Sequence, residues 1–312
     1  MAKKSRSGSR KEESVLTRQA QKRQWLKERE AYREEKKRIN RVQRGLRKEA
    51  EARGEKVERQ VPRTVESMRD LDDEVVLDDD VAFEDVLDAE KVDEFQSYFS
   101  GASGQPKILM TTIVRPGRPM LKLLKELQVV FPESYYVDRR KYVLAEDLVK
   151  FATDRGFTDL MIFEQRQGEP HGVFLTHLPE GPTSHFRLSG VVLARTLKGV
   201  NATNHNPEII LHNFSTAVAR RLKRQLHSLI PRKPEFIGRR VIAFVNKHDF
   251  IFFRHYRYVF EDGGTTARLA EIGPRFTLKL RSLQEGILDR ECGKFEWFWR
   301  PKLQETAKQH HL

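Results

Sequence analysis

The chain has 312 residues, with 58 Lys and Arg against 45 Asp and Glu, a net charge of +13 and a sequence pI near 9.8. Its single cysteine, Cys292, excludes an internal disulfide and a Cys-rich zinc site. No apolar run is long enough for a bilayer and no signal-peptide core is visible, so a soluble protein of a reducing, intracellular compartment with no membrane partner is expected.

The charge is segregated. Residues 1–60 hold 21 basic against 10 acidic side chains, residues 61–100 hold 3 against 14, and residues 101–312 hold 34 against 21. A basic arm, an acidic linker and a basic body follow one another, and such a chain seeks polyanions, most simply nucleic acid. Anionic lipid is the competing partner, but no segment has the strong apolar face that a membrane-surface helix needs.

In the arm, the basic cluster from Lys3 to Lys11 fits a nuclear localisation signal, although such clusters are common. Residues 12–52 read as a long charged helix in which Trp25, Tyr32, Ile39 and Leu46 recur every seven positions. That seam is one residue wide, too thin for a self-supporting bundle, so the helix gains order against RNA or protein, or stays a solvated arm. Residues 61–105 form the acidic linker. With only Val75, Val76, Leu77, Val81, Phe83, Val86 and Leu87 interspersed, the segment up to residue 100 is not expected to hold a fold. It is a plain linker or a short docking peptide that shields the basic body.

Ordered structure is predicted over 106–290. Lys107–Ile113 reads as a buried strand, then a helix carries Met120, Leu123, Leu124, Leu127, Val130 and Phe131 on one face and is closed by Pro132. Tyr135–Val137 is a short strand, and a second helix turns Leu144, Leu148, Phe151 and Ala152 inward before Gly156. Asp159–Phe163 and Gly172–His177 make a hairpin, and Gly181-Pro182 leads into the strand Phe186–Val192. The same grammar then restarts. Glu208–Phe214 is a strand, and a helix from Thr216 buries Val218, Leu222, Leu226, Leu229 and Ile230 while showing Arg220, Arg221, Lys223 and Arg224 outward. Val241–Val245, Phe250–Phe260 and Leu269–Arg281 complete a run of strands. Leu109 answers Ile210, Phe131-Pro132 answers Ile230-Pro231, and Gly181-Pro182 answers Gly273-Pro274. The chain is therefore read as one pseudo-symmetric α/β (α+β) domain whose halves, about 106–200 and 207–290, are mixed sheets with helices on them. Residues 291–312 form an aromatic and basic tail, in which Phe295–Pro301 packs back on the domain or offers an anchor to a partner.

The strand Gly273–Arg281 carries the candidate site. Phe276, Leu278 and Leu280 point one way, and Arg275, Thr277, Lys279 and Arg281 the other, so a buried comb presents a row of cations suited to a phosphate backbone. The preceding strand adds Arg254, His255, Tyr256 and Arg257, with Tyr256 able to stack on an unpaired base. Alternation puts Arg254, Tyr256 and Tyr258 on one face and Phe253, His255 and Arg257 on the other, so not all of them reach one ligand. Arg239, Arg240 and Lys247 extend the patch, as do Arg115 and Arg118 in the loop entering the first helix.

Catalytic readings find little. No histidine sits in a metal-ligand pair with a carboxylate, and His310-His311 lie at a frayed terminus. Arg290-Glu291-Cys292-Gly293 matches no nucleophile motif, and Gly263-Gly264 is a turn rather than a phosphate loop. No enzyme, cofactor or small-molecule substrate is expected.

Several segments together resemble the Brix domain family of ribosome-assembly factors. They are Leu178–Phe186, Phe252–Tyr258 and Gly273–Arg281, in that order along residues 106–290. Pro207–Leu211, Phe236–Arg239, Phe250–Arg254 and Phe276–Arg281 are most similar to a large-subunit member, with the small-subunit processome member as rival. The resemblance implies two halves similar to anticodon-binding domains of class IIa aminoacyl-tRNA synthetases. It also implies non-catalytic binding of pre-ribosomal RNA in the nucleolus among pre-ribosomal particle proteins, beside one dedicated protein partner. The remaining alternative is an interaction scaffold without direct RNA contact from the domain.

Overall fold

The computed structural model describes residues 90–312 except 103, 114, 140–142, 198–201, 289–292 and 302–310, together with 27, 29, 31–35, 37, 38, 41, 42, 53, 64 and 88. Contacts divide it into two units, residues 1–63 and 64–312. In the first, the described residues between 27 and 42 are helical and exposed. Of the predicted seam, Tyr32 is 66% exposed, while Trp25, Ile39 and Leu46 lie outside the described residues, as does Cys292.

The second unit begins with helix α1 (Gln96–Ser100), followed by β1 (Ile108–Thr112), α2 (Arg118–Val130), β2 (Ser134–Tyr136), α3 (Ala145–Asp154), β3 (Asp159–Arg166), β4 (Glu169–His177) and β5 (Thr183–Val192). The second half repeats the course with β6 (Glu208–His212), α4 (Ala217–Ser228), β7 (Arg240–Lys247), β8 (Phe250–Glu261), β9 (Thr266–Glu271), β10 (Arg275–Gln284) and β11 (Phe295–Phe298). The run read as one strand, Leu269–Arg281, is two, because it turns at Ile272–Pro274 between β9 and β10.

One mixed sheet carries both halves, in the order β2-β1-β3-β4-β5-β10-β8-β7-β6, with β11 on β10 and β9 on β8. β1 runs parallel to β2 and β3, and β6 parallel to β7, while the other pairs are antiparallel. β5 and β10, equivalent in the repeat, join the halves, with Leu188 opposite Leu278 and Arg187 opposite Lys279. The predicted two-half α/β architecture is thus observed.

Helices α2 and α4 lie on one face of this sheet. The α2 side chains Met120, Leu123, Leu124, Leu127 and Val130 are buried at helical spacing, with Pro119 in the first turn, where its missing N–H costs nothing. Thr216 caps α4 by accepting the Ala219 N–H at 3.1 Å. Beneath the helices, Phe253 stacks on Phe276 at 4.3 Å and meets Phe244 edge-on at 5.1 Å. The opposite face carries a smaller cluster over the first half only, where Leu148, Val149 and Ala152 of α3 cover Leu109, Leu160 and Ile162.

Two buried polar side chains tie the halves. Gln225 of α4, fully buried, donates to the carbonyls of Leu175 (3.1 Å) and Pro182 (3.0 Å) and accepts from the Ser184 hydroxyl. Arg240 of β7, 2% exposed, donates to the carbonyls of Val129 (2.7 Å) and Val130 (3.4 Å) at the end of α2, and to those of Thr203 and His205. These carbonyls include groups that the end of a helix leaves without an internal partner.

Two expectations from composition need correction. The end of the acidic segment does hold structure. Phe95 and Tyr98 are 0% and 4% exposed, and the Tyr98 hydroxyl donates to the Ile230 carbonyl at 2.6 Å. Glu90, Asp93 and Glu94 pair with Arg220, Arg224 and Arg221 of α4, so the basic face of that helix is already engaged. Two aromatic anchors and matched charge do what the residues' hydropathy alone did not promise. Nor are the last two residues frayed, while His310 lies outside the described residues. Leu312 is 1% exposed, and Asp249 accepts the N–H groups of His311 and Leu312 at 2.8 and 3.0 Å.

Candidate nucleic-acid interface

On the side away from α2 and α4, no described helix covers the second half, and its pleat presents one row of side chains after another. Strand β10 alternates as expected, with Phe276, Leu278 and Leu280 buried and Arg275, Thr277, Lys279 and Arg281 partly exposed. Across the ladders, Lys279 stands between Arg187 of β5 and Phe250 of β8, and Phe250 stands opposite Lys247 of β7. Thr277 stands between Ser189 and Phe252. Arg254 and Tyr256 share this outer face and are half-buried.

The cations here are positioned by aromatic rings and one carboxylate. Lys279 Nζ lies 4.8 Å from the Phe250 ring and 5.1 Å from that of Trp299, and the Arg281 guanidinium lies 4.5 Å from Trp299. The tail reaches them because β11 pairs with the end of β10 and the Trp299 N–H donates to the Arg281 carbonyl at 2.8 Å. Partial burial depresses the Lys279 pKa, and the neighbouring Arg281 charge depresses it further. Arg281 is lowered for the same reasons, burial first and then the Arg187 charge. Glu271 of β9 pairs with Arg275 at 3.2 Å and stands 3.8 Å from Arg254.

Three expected members, His255, Arg240 and Arg257, lie on the other side of the pleat. His255 is fully buried under the helices, where its Nδ1–H donates to the Gly273 carbonyl at 2.8 Å and its Nε2 accepts from Arg240 Nε–H at 3.3 Å. Burial pushes its pKa down to about 4, with the Gly273 carbonyl opposing and the Arg240 charge assisting. Arg240 is the helix-capping cation described above, and burial lowers its pKa to about 10. Both sit on the side of the pleat that α2 covers, so neither can touch a ligand on the outer face. Arg257 shares that inner side, opposite Arg240. Arg239 is exposed in a left-handed turn before β7. Arg115 and Arg118 are exposed in the first half, in a loop pinned by Gln165, which donates to the Arg115 carbonyl and accepts the Gly117 N–H.

One exposed cation absent from the expected set is Arg187, central in the row with Lys279. The alternation of Phe186, Arg187 and Leu188, which mirrors Leu278, Lys279 and Leu280, was the signal for it. Among the described residues no His, Cys, Asp and Glu group could hold a metal ion, and no helix is long and apolar enough to cross a membrane.

The Brix domain model matches residues 115–282, which span both halves and the β5–β10 junction. The chain belongs to the Brix domain family. Ribosome production factor 1 of Mus musculus is 41% identical over 267 residues, covering 85% of this chain and 75% of its own. Ribosome production factor 1 of Danio rerio is 40% identical over 259 residues, covering 81% and 76%. A crystal structure of a probable ribosomal biogenesis protein from Aeropyrum pernix K1 aligns with a TM-score of 0.42 at 18% identity, over 62% of this Brix chain and 99% of that one.

Proposed function

We propose that this Brix protein is a non-catalytic ribosome-biogenesis factor that binds pre-ribosomal RNA and serves assembly and rRNA processing of the large subunit in the nucleolus. The observation that carries the reading is the outer face of the second half and the adjoining β5, which no described helix covers there and where Arg187, Lys279, Arg281, Phe250 and Tyr256 share one surface. Cations grip phosphates irrespective of sequence, and half-exposed aromatic rings accept unpaired bases, so such a face reads RNA shape without chemistry on it. Its mechanism is positional: a rigid two-half sheet clamps folded RNA beside pre-ribosomal proteins, including one dedicated partner, and leaves as the particle matures. The names of the relatives support the ribosome-biogenesis part of this reading.

Crosslinking of the full chain to RNA in cells, with sequencing of the attached fragments, tests it. Reads clustered on large-subunit rRNA are expected. Clustering on the small-subunit precursor would move the protein to the other particle, and scattered crosslinks from residues 1–60 alone would make the domain a protein scaffold.

A further inference from the structure

Two irregularities in the sheet converge on one place. In the β3–β4 ladder, Glu164 pairs with Gly172 and Gln165 with Pro170, which leaves His171 as an extra residue. In the β5–β10 ladder, Phe186 pairs with Leu280 and His185 with Ser282, which leaves Arg281 extra. Bulges of this kind re-aim side chains. Both extra residues line the same cleft of about 280 Å3, with Glu164, Arg166, His185 and Arg187 as its other walls.

We propose that this cleft, at the junction of the two halves, is a phosphate subsite for the RNA backbone, anchored by Arg187 and Arg281. It rests on the RNA-binding reading above and puts the grip at the junction rather than on Arg275, which is already paired with Glu271. Three guanidinium groups and two imidazoles face a single carboxylate, and that carboxylate lies 3.4 Å from His185 Nε2. Among the described residues no Asp or Glu oxygen comes within 4.0 Å of an Arg187 or Arg281 nitrogen, and the two like charges stand unrelieved. A phosphate would satisfy both in the forked geometry that guanidinium offers. The walls are held in place. His185 stacks on Phe174 at 4.1 Å, and the Trp299 ring and backbone fix Arg281 from the other side. At the floor, a Cβ on Gly172 would stand 2.8 Å from Glu164 Oε2 and 3.3 Å from the Phe186 carbonyl oxygen, so glycine leaves the Glu164 carboxylate undisturbed. The cleft opens onto the outer face beside Lys279, which suits a polymer continuing past it better than an enclosed small anion.

The test is fluorescence anisotropy of the full chain with a labelled rRNA hairpin across a series of KCl concentrations. Arg187→Gln is expected to weaken binding about tenfold near 0.1 M salt and to lower the salt slope by about one, with Arg281→Gln similar. Lys125→Gln, on an exposed position of α2, is expected to change neither. Arg187 is exposed, so an unchanged melting temperature checks that the variant folds. If the native chain binds with a normal slope and Arg187→Gln matches it, the subsite is wrong and the RNA reading stands. If the native chain shows no salt-dependent RNA binding, both fall. Loss of binding to a labelled polyglutamate peptide, with RNA binding intact, would assign the cleft to acidic protein and overturn the proposal.

Discussion

The two halves share a course of strand, helix and three further strands, β1-α2-β3-β4-β5 and β6-α4-β7-β8-β10, but finish the outer face of their sheet differently. In the first half, α3 enters between β2 and β3 and buries Leu109, Leu160 and Ile162 under Leu148, Val149 and Ala152. In the second, α4 passes to β7 through the short turn Phe236–Gly238, and no described helix covers the corresponding surface. What stands there instead is Phe250, Phe252, Arg254, Tyr256 and Lys279, side chains that tolerate water on one side and a ligand on the other. The difference teaches where the stability of this domain resides. One continuous core under α2 and α4 spans both halves, so the outer face of the second half can do without a covering helix among the described residues.

The largest effects should come from breaking the shared inner face. Phe253→Ala removes the ring stacked on Phe276 and packed against Phe244, and about 3–5 kcal/mol of stability should go with it. Arg240→Met should cost less, about 1–3 kcal/mol, because it takes the donor from the buried carbonyl of Val130 and the part-buried carbonyls of Val129, Thr203 and His205. Urea unfolding measures both. A midpoint unchanged in Arg240→Met would mean the halves do not depend on that tie.

Acid should attack the same face. The folded His255 pKa of about 4 lies below its ordinary 6.5, so between those values the unfolded chain binds a proton that the native one refuses. Stability therefore falls as pH is lowered through this window, by about 3 kcal/mol when it is complete. The buried His177–Asp159 pair, 2.8 Å apart, works with the opposite sign. Its raised pKa makes its contribution complete in acid and lost as pH rises through the folded value. Denaturant midpoints at pH 7 and 4.5 should separate the two, with His255→Asn flattening the acid loss and His177→Asn steepening it.

Much of this was legible in the sequence. Period-two alternation assigned the faces of β10 correctly, and the restart of strand and helix after residue 207 exposed the repeat. What alternation could not supply is which face a helix would cover. His255 and Arg254 are adjacent and equally polar, yet one is core and the other surface, because only α2 on the far side decides between them. Composition misjudged residues 90–100 for a related reason. Their charge is only unfavourable until Arg220, Arg221 and Arg224 are brought opposite it. The junction cleft was invisible for want of register, since bulges at His171 and Arg281 exist only between paired strands.

On the outer face the expected changes are in binding rather than stability. Replacing Arg275, Lys279 and Arg281 together with Ala should flatten the salt dependence of RNA affinity by two to three units or so while Tm shifts little. A native slope in this variant would take β10 out of the interface and leave the comparison of the halves as one of packing alone.

The finest probe is Glu271, the carboxylate that holds Arg275 at 3.2 Å and stands 3.8 Å from Arg254. It is the place where the second half neutralises part of its own surface. Glu271→Gln keeps the shape and removes the charge, so both guanidinium groups become available to phosphate. RNA affinity should then rise about two- to threefold at low salt and the slope should steepen by up to about one. Because the pairs are partly solvated, the stability lost should stay within about 1 kcal/mol. A gain of binding is hard to obtain by damage to the fold, and that gives this small effect its value. If affinity fell in step with stability, Glu271 would be shaping β8–β10 for its ligand, and the aromatic row would become the stronger candidate for contact.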